Sequence, residues 1–269
     1  LPEADLALLL RTAHAAGEIA HRYWRRAPEA WEKPGGEGPV SVADLAVNAM
    51  LRETLLAARP DYGWLSEESP DDPAARGACT RVFLLDPIDG TRAFLAGSPD
   101  YAHSLAVVER GEVIAAVVHL PEIGLTYSAT ATGPALLNGA AITPATTLRA
   151  ADAVVLAPSS VQRSEHWRGG AAPGFRVAFR ASLAWRLCLV AEGKFDAALS
   201  LRPAWEWDIA AGALIAARAG ALLSDRHGAA VRFNQPVPQS SGLLVAPPGL
   251  HADLLGALST QAANDGRAP

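Results

Sequence analysis

The apolar positions divide the chain into two differently patterned halves. Between residues 3 and 26, Leu6, Leu9, Leu10, Ala13, Ile19 and Tyr23 recur at helical spacing, which predicts an amphipathic first helix. "WEKPGGEGP" (31–39) reads as a loop from its Gly and Pro content. A second helix is predicted over "SVADLAVNAMLRETLLAA". Ser41, three residues ahead of Asp44, resembles a capping-box start with the shorter acid, and Leu45, Met50, Leu51 and Leu55 continue it. "YGWLSEES" reads as a short strand ending in acids, and "RVFLLD" as a strand buried on both faces or nearly so. The period then changes to two. "HSLAVVERGEVIAAVVHLPEIGLTYSATATGPALLNG" holds three or four strands separated by "ERGE", "PEIG" and "ATG" turns, an antiparallel meander.

From about residue 150 the elements alternate. "AVVLAP" and "FRVAF" read as strands and "SLAWRLCLVAEG" as a helix stopped by Gly193. "FDAALS" is then a strand, "WDIAAGALIAARAG" a helix and "GLLVAPPG" a late strand. Strand–helix alternation predicts an α/β half. The expected division is an N-terminal α+β domain over 1–147, with the antiparallel sheet, and a C-terminal α/β domain over 148–269.

The 269 residues are half hydrophobic, ample for a core, and charged residues make up 19%. The net charge of -5 argues against a nucleic-acid or anionic-membrane surface, which needs a basic field. Lysine occurs only at 33 and 194. Cys79 and Cys188 are far apart and outside any Cys/His cluster, which favours a reducing, cytoplasmic setting over a disulfide framework or a zinc site. The start has acids ahead of its short apolar run and lacks the basic region of a secretory signal, and no segment suits a membrane span.

The candidate chemistry starts from "LLDPIDGTRAF" (84–94). Asp86 ends a strand, Pro87 turns the chain off the sheet, and Asp89 can face the same point in space. Two carboxylates held that close repel unless a cation lies between them, and an all-oxygen set favours Mg²⁺. The Ile88 carbonyl can add an oxygen, Gly90 permits close backbone approach, and "TRAFLAG" opens a helix whose free N–H groups suit a phosphate oxygen. Three further acidic positions lie at element ends: Glu67 with Glu68 in "SEES", Asp208 in "WEWD" and Asp44. Separately, each has a simpler explanation: a solvated strand end, an N-cap, or a charge on a positive helix end.

"EES", "DPIDGT", "TGPALLNG" and "WDIAAGALIAARAGA", in this order and through most of the chain, resemble the inositol monophosphatase superfamily. The resemblance implies a layered αβαβα sandwich of the inositol monophosphatase/fructose-1,6-bisphosphatase type. It also implies an Mg²⁺-dependent, lithium-sensitive phosphomonoesterase acting on a small phosphorylated metabolite with two or three ions. Carried over by motif position, Glu67, Asp86, the Ile88 carbonyl, Asp89 and Asp208 would bind metal. Asp44 and Thr91 would polarise the attacking water, with Glu67 among the catalytic groups, and Gly90 and Thr91 N–H groups would hold the phosphate. Two ions at such a site clamp the attacking and leaving oxygens of an in-line displacement.

"WEWD" and "SLAWRLCLVAEGK" are similar to the bacterial 3'(2'),5'-bisphosphate nucleotidase branch, which implies 3'-phosphoadenosine 5'-phosphate as substrate. Trp205 or Trp207 would then stack on a base, and Arg180 or Arg186 would meet a second phosphate. Alternatives are an inositol-1-monophosphatase, a regulator that binds RNA or the transcription machinery with incidental catalysis, and a phosphate-ester sensor without turnover. The acid set with Thr91 favours an enzyme, as a monomer or homodimer. His103 and His119, in the strand region, read as structural residues.

Overall fold

The computed structural model describes residues 2–36 and 38–259. The first half contains α1 (Pro2–Tyr23), β1 (Ala30–Glu32), β2 (Pro39–Ser41), α2 (Val42–Ala58), β3 (Gly63–Ser66), α3 (Pro73–Gly77), β4 (Arg81–Asp89) and α4 (Thr91–Leu95). The meander follows as β5 (Ala102–Glu109), β6 (Glu112–Leu120), β7 (Leu125–Thr130), β8 (Leu136–Leu137) and β9 (Ala140–Ala141). The second half contains β10 (Val154–Leu156), β11 (Arg176–Ala178), α5 (Leu183–Ala191), β12 (Ala197–Ser200), β13 (Ala204–Trp205) and α6 (Glu206–Ala219). It ends with β14 (Leu222–Ser224), β15 (Gln239–Ser240), β16 (Leu243–Ala246) and α7 (Pro248–Ala257).

Five layers result. One sheet runs β3-β4-β5-β6-β7-β8-β9, parallel at β3/β4 and antiparallel thereafter. The helices α1 and α2 cover one of its faces, where Leu9, Leu51 and Leu55 meet Phe83, Leu85 and Leu105. Its other face packs on α6, which lies beside α5. Behind these helices stands a mixed sheet, β11-β10-β12-β16-β14, and α7 closes its outer face. This is the αβαβα sandwich. The strands divide between 141 and 154, yet α6 belongs by sequence to the second half and buries Ile209, Ala210 and Ala213 in one core with Leu84, Ala106 and Val118 of the first sheet. Small side chains on α6 make that close approach possible, and a Cβ on Gly212 would lie 2.7 Å from that of Leu187 on α5.

Several local expectations change. The 31–39 segment is not a plain loop: Trp31 pairs with Val40 in the β1–β2 hairpin, whose turn contains Gly35 and Gly36 at positive φ. Strands of three residues are too short to show a period. The second sheet of the expected α/β half is mixed, because β16 returns antiparallel to both β12 and β14. Asp208 is not an N-cap: Trp205 caps α6, and Asp208 sits in its first turn. At α2 the capping box is present, with the Ser41 side chain accepting from Ala43 N and Asp44 accepting from Ser41 N. No helix among the described residues is long and apolar enough to cross a membrane.

A buried polar cluster fastens α1. Asp5, fully buried, accepts from Arg59 Nε at 3.0 Å, Tyr62 Oη at 3.0 Å and Arg81 NH1 at 3.3 Å. Asp5→Ala strands two guanidinium groups that are themselves about a quarter exposed. The expected cost is about 2 kcal/mol, less than for a fully buried pair. Urea unfolding of the variant checks it, and a change below about 0.5 kcal/mol would mean that water replaces the carboxylate.

Candidate active site

The acidic positions converge at the end of β4. Glu67, in the turn after β3, Asp86 on β4 and Asp208 in the first turn of α6 each offer an oxygen, all within 4.8 Å of one another. They are separated by up to 141 residues, so only the sheet and the α6 layer bring them together. Burial pushes the Asp86 carboxyl well above the carboxylate range, and the charges of Glu67, Asp89 and Asp208 push the same way. Asp208 is raised likewise, by burial first and then by Asp89 and Glu67. Three hard oxygen donors, gathered around the buried Asp86 with their charges opposed, are the donor set of a divalent cation. The residues present therefore fit a hard metal ion.

Asp89 is held differently. Its Oδ2 accepts from Ser182 Oγ and from Ala184 N, both at 2.6 Å, so it ties the α5 N-terminus to the bulged end of β4. Burial raises its pKa to about 6, against the lowering effect of those donors. It lies outside the Glu67–Asp86–Asp208 trio but within its electrostatic field. Ile88 N donates to Asp86 Oδ1 at 2.8 Å, which locks the turn. The Ile88 carbonyl lies 3.1 Å from Thr91 Oγ1. Gly90 has φ +101°, and a Cβ there would lie 3.0 Å from the Asp100 carbonyl oxygen, so glycine is required on both counts.

Thr91 Oγ1 is also 3.1 Å from Asp44 Oδ1. The other Asp44 oxygen accepts from Ser41 N and Oγ, at 2.9 and 2.5 Å. The helix-capping acid and the Thr91 partner are thus one residue, each role using its own oxygen. Burial raises the Asp44 pKa despite the Ser41 and Thr91 hydrogen bonds.

The sequence reading missed Lys33. From the β1–β2 hairpin its ammonium reaches Glu67 Oε1 and Glu68 Oε1, both at 2.6 Å. Burial alone would depress its pKa, but the two glutamates outweigh burial and raise it. Glu68 is pushed up to about 7, chiefly by burial. Lys33 is therefore an internal counter-cation for the acidic centre. Only its rarity marked it in the sequence, since nothing local links a loop lysine to carboxylates more than thirty residues away.

The two candidate arginines part company. Arg186 is buried, its Nε donates to the Arg180 carbonyl at 2.6 Å, and its charge interacts with Asp89 and Asp208. Arg180 instead lies over the rings of Trp185 and Phe195 and donates to the Phe179 carbonyl. Trp205 and Trp207 stack on each other, centroids 4.6 Å apart and 10° from parallel. Each therefore spends one face on its neighbour rather than offering it to a base. A cavity of about 900 Å³ lies elsewhere, lined by residues of α1, of β6–β8 and of the turns between those strands, including His14, His119 and Pro121, with none of the acidic centre in its wall.

Residues 3–263 match the model of the inositol monophosphatase family. The chain is 35% identical over 198 residues to an inositol-1-monophosphatase of Rhizobium meliloti, covering 70% of this chain and 73% of that protein. It is 29% identical over 216 residues to the 3'(2'),5'-bisphosphate nucleotidase CysQ of Salmonella typhimurium, covering 80% and 87%. Among solved structures, an IMPase of Thermotoga maritima superposes with a TM-score of 0.81 at 26% identity, over 95% of this chain and 96% of that one. The chain belongs to the inositol monophosphatase family and is a phosphatase, a phosphoric monoester hydrolase.

Proposed function

We propose that the protein is an Mg²⁺-dependent phosphomonoesterase that hydrolyses 3'-phosphoadenosine 5'-phosphate. The mutual approach of Glu67, Asp86 and Asp208 carries the metal-dependent part of this reading. These three, with Asp89 and the Ile88 carbonyl, would hold the divalent ions. Bound there, the ions supply Lewis acidity for the phosphoryl group and lower the pKa of water.

The chain's own groups supply the rest. Gly90 and Thr91 open a short helix, and their N–H groups would hold a phosphoryl oxygen. A hydroxyl can accept one hydrogen bond while donating another. Thr91 Oγ1 accepts from the attacking water and donates to Asp44 Oδ1, so a proton leaving the water passes to the carboxylate. Burial makes Asp44 a stronger base than a solvated aspartate. Asp89 keeps α5, and with it Arg186, against the metal loop.

Arg186 supports the choice of ester. A buried guanidinium at the edge of the acidic centre suits a substrate with a second anionic group. Inositol 1-phosphate is the second reading, favoured by the Rhizobium meliloti relative. Phosphate release from 3'-phosphoadenosine 5'-phosphate, inositol 1-phosphate and fructose 1,6-bisphosphate, with and without Mg²⁺, tests both. Arg186→Ala is expected to raise KM for the bisphosphate nucleotide about tenfold, the scale of one charge-assisted hydrogen bond, and to leave inositol 1-phosphate within about twofold. Equal effects on the two esters would reject the nucleotide reading.

A further inference from the structure

Opposite the metal loop, the β4/β5 ladder slips. Asp86 pairs with Ser104 and Asp89 pairs with Ala102, so Pro87 and Ile88 face a single residue, His103. This is a β-bulge, two residues against one, and a bulge re-aims the side chains beside it. Here those side chains are Asp86 and Asp89. A bulge also loses ladder hydrogen bonds, which leaves its peptide planes free to rotate unless something else holds them.

His103 holds one of them. Its Nδ1 lies 2.5 Å from the Pro87 carbonyl oxygen. A carbonyl only accepts, so Nδ1 carries the proton, and Nε2 is left buried without a partner. The ring is fully buried and neutral, since burial takes its pKa down to about 4. Its plane is set by the edge of Tyr101 at 6.0 Å and by His119, its cross-strand partner on β6, at 6.1 Å. For packing alone this is a poor choice near the start of a buried strand. A valine would suit the strand without an orphaned nitrogen, which costs about 1–3 kcal/mol.

We propose that His103 is a positioning residue for the metal cradle: its hydrogen bond to Pro87 fixes the backbone between Asp86 and Asp89 and so sets the spacing of the oxygens on either side. The inference rests on the proposed metal role of those residues. A ligand spacing held in advance costs less to assemble around an ion, so metal affinity registers the loss directly, and losing such an outer partner weakens binding about 10–100-fold.

Three variants separate positioning from packing. Asparagine places an amide N–H where His103 has Nδ1, glutamine reaches instead towards the Nε2 position, and leucine has no donor. Mn²⁺ affinity is measured by EPR of the free ion, without turnover, beside the Mg²⁺ dependence of kcat and the melting temperature with EDTA. His103→Leu and His103→Gln are expected to weaken Mn²⁺ binding at least tenfold, and His103→Asn to stay within about threefold of the parent. The metal-free melting temperature of His103→Leu should stay within about 3 °C of the parent, because the orphaned nitrogen that leaves with the ring offsets the Pro87 carbonyl left without its donor. Should His103→Leu not fold, His103→Val carries the same reading. Unchanged Mn²⁺ affinity in His103→Leu overturns the inference, and so do equal losses in all three variants. If Asp86→Asn also leaves Mn²⁺ affinity unchanged, the metal reading itself has failed rather than the role of His103.

Discussion

Asp86→Asn should abolish phosphate release and at the same time make the metal-free protein harder to unfold. The two effects have one cause. Asp86 is buried among Glu67, Asp89 and Asp208, and its ionised form is unfavourable there until a cation arrives. An amide of the same shape removes that repulsion, so without metal the variant should melt higher, by about 3 °C for a gain near 1 kcal/mol in a chain of this size. With metal, the lost ligand should remove about 4 kcal/mol of transition-state stabilisation, roughly a thousandfold in rate. Release assays at saturating Mg²⁺ and thermal melts in EDTA measure the two sides. A variant that loses activity and also melts lower in EDTA would show Asp86 to be a structural ligand of its neighbours. One that keeps Mg²⁺-dependent turnover would remove it from the metal set.

The second large effect is a stability profile that runs opposite to ordinary acid denaturation. Glu68 and Glu206 are raised to about 7 and Asp89 to about 6, each chiefly by burial, and Asp86 and Asp208 are raised as well. In the unfolded chain such groups titrate near 4. Stability that depends on their neutral forms is therefore complete below about pH 4 and is lost as pH rises through about 6–7, where only the unfolded chain ionises freely. Lys33 offsets part of the loss through Glu67 and Glu68. Without metal, the melting temperature should fall between pH 5.5 and 8 by roughly 5 °C, a loss of about 2 kcal/mol. Mg²⁺ at a hundred times its dissociation constant should restore about 2.7 kcal/mol at pH 8 and less at pH 5.5, where protons compete for the same oxygens. Melts across this range with EDTA or Mg²⁺ decide the matter. A metal-free protein that grows more stable towards pH 8 would contradict the picture of a like-charged buried centre.

Lys33 links these expectations. An ammonium on a hairpin can balance part of the acidic charge when no ion is bound, and it occupies two carboxylates at the rim of the cluster. Its hairpin is short and turns through glycines, so Lys33 approaches the centre from outside the sheets. The site combines oxygens fixed to strands and helix starts with a counter-charge on a less constrained element.

Local chemistry made much of this legible in the sequence. Periods of 3.6 and 2 depend on neighbouring residues alone, so α1, α2, α5, α6 and the β5–β7 meander could be read directly. The same holds for the Ser41–Asp44 capping box and for Gly90, whose positive φ and tight surroundings serve the turn after Asp89. The motifs DPIDGT and WDIAAG carry their carboxylates at element ends for equally local reasons, and with their order they were enough to indicate the family. Tertiary packing decided the rest. Arg180 and Arg186 are six residues apart and both lie over aromatic rings, but only Arg186 is buried with its charge felt by Asp89 and Asp208. Trp205 and Trp207 alternate like a binding surface and spend a face on each other. His103 resembles any strand histidine until the β4/β5 register leaves Pro87 without a strand partner. In each case the side chain's role depends on a partner far away in sequence, and only the folded chain fixes which partners meet.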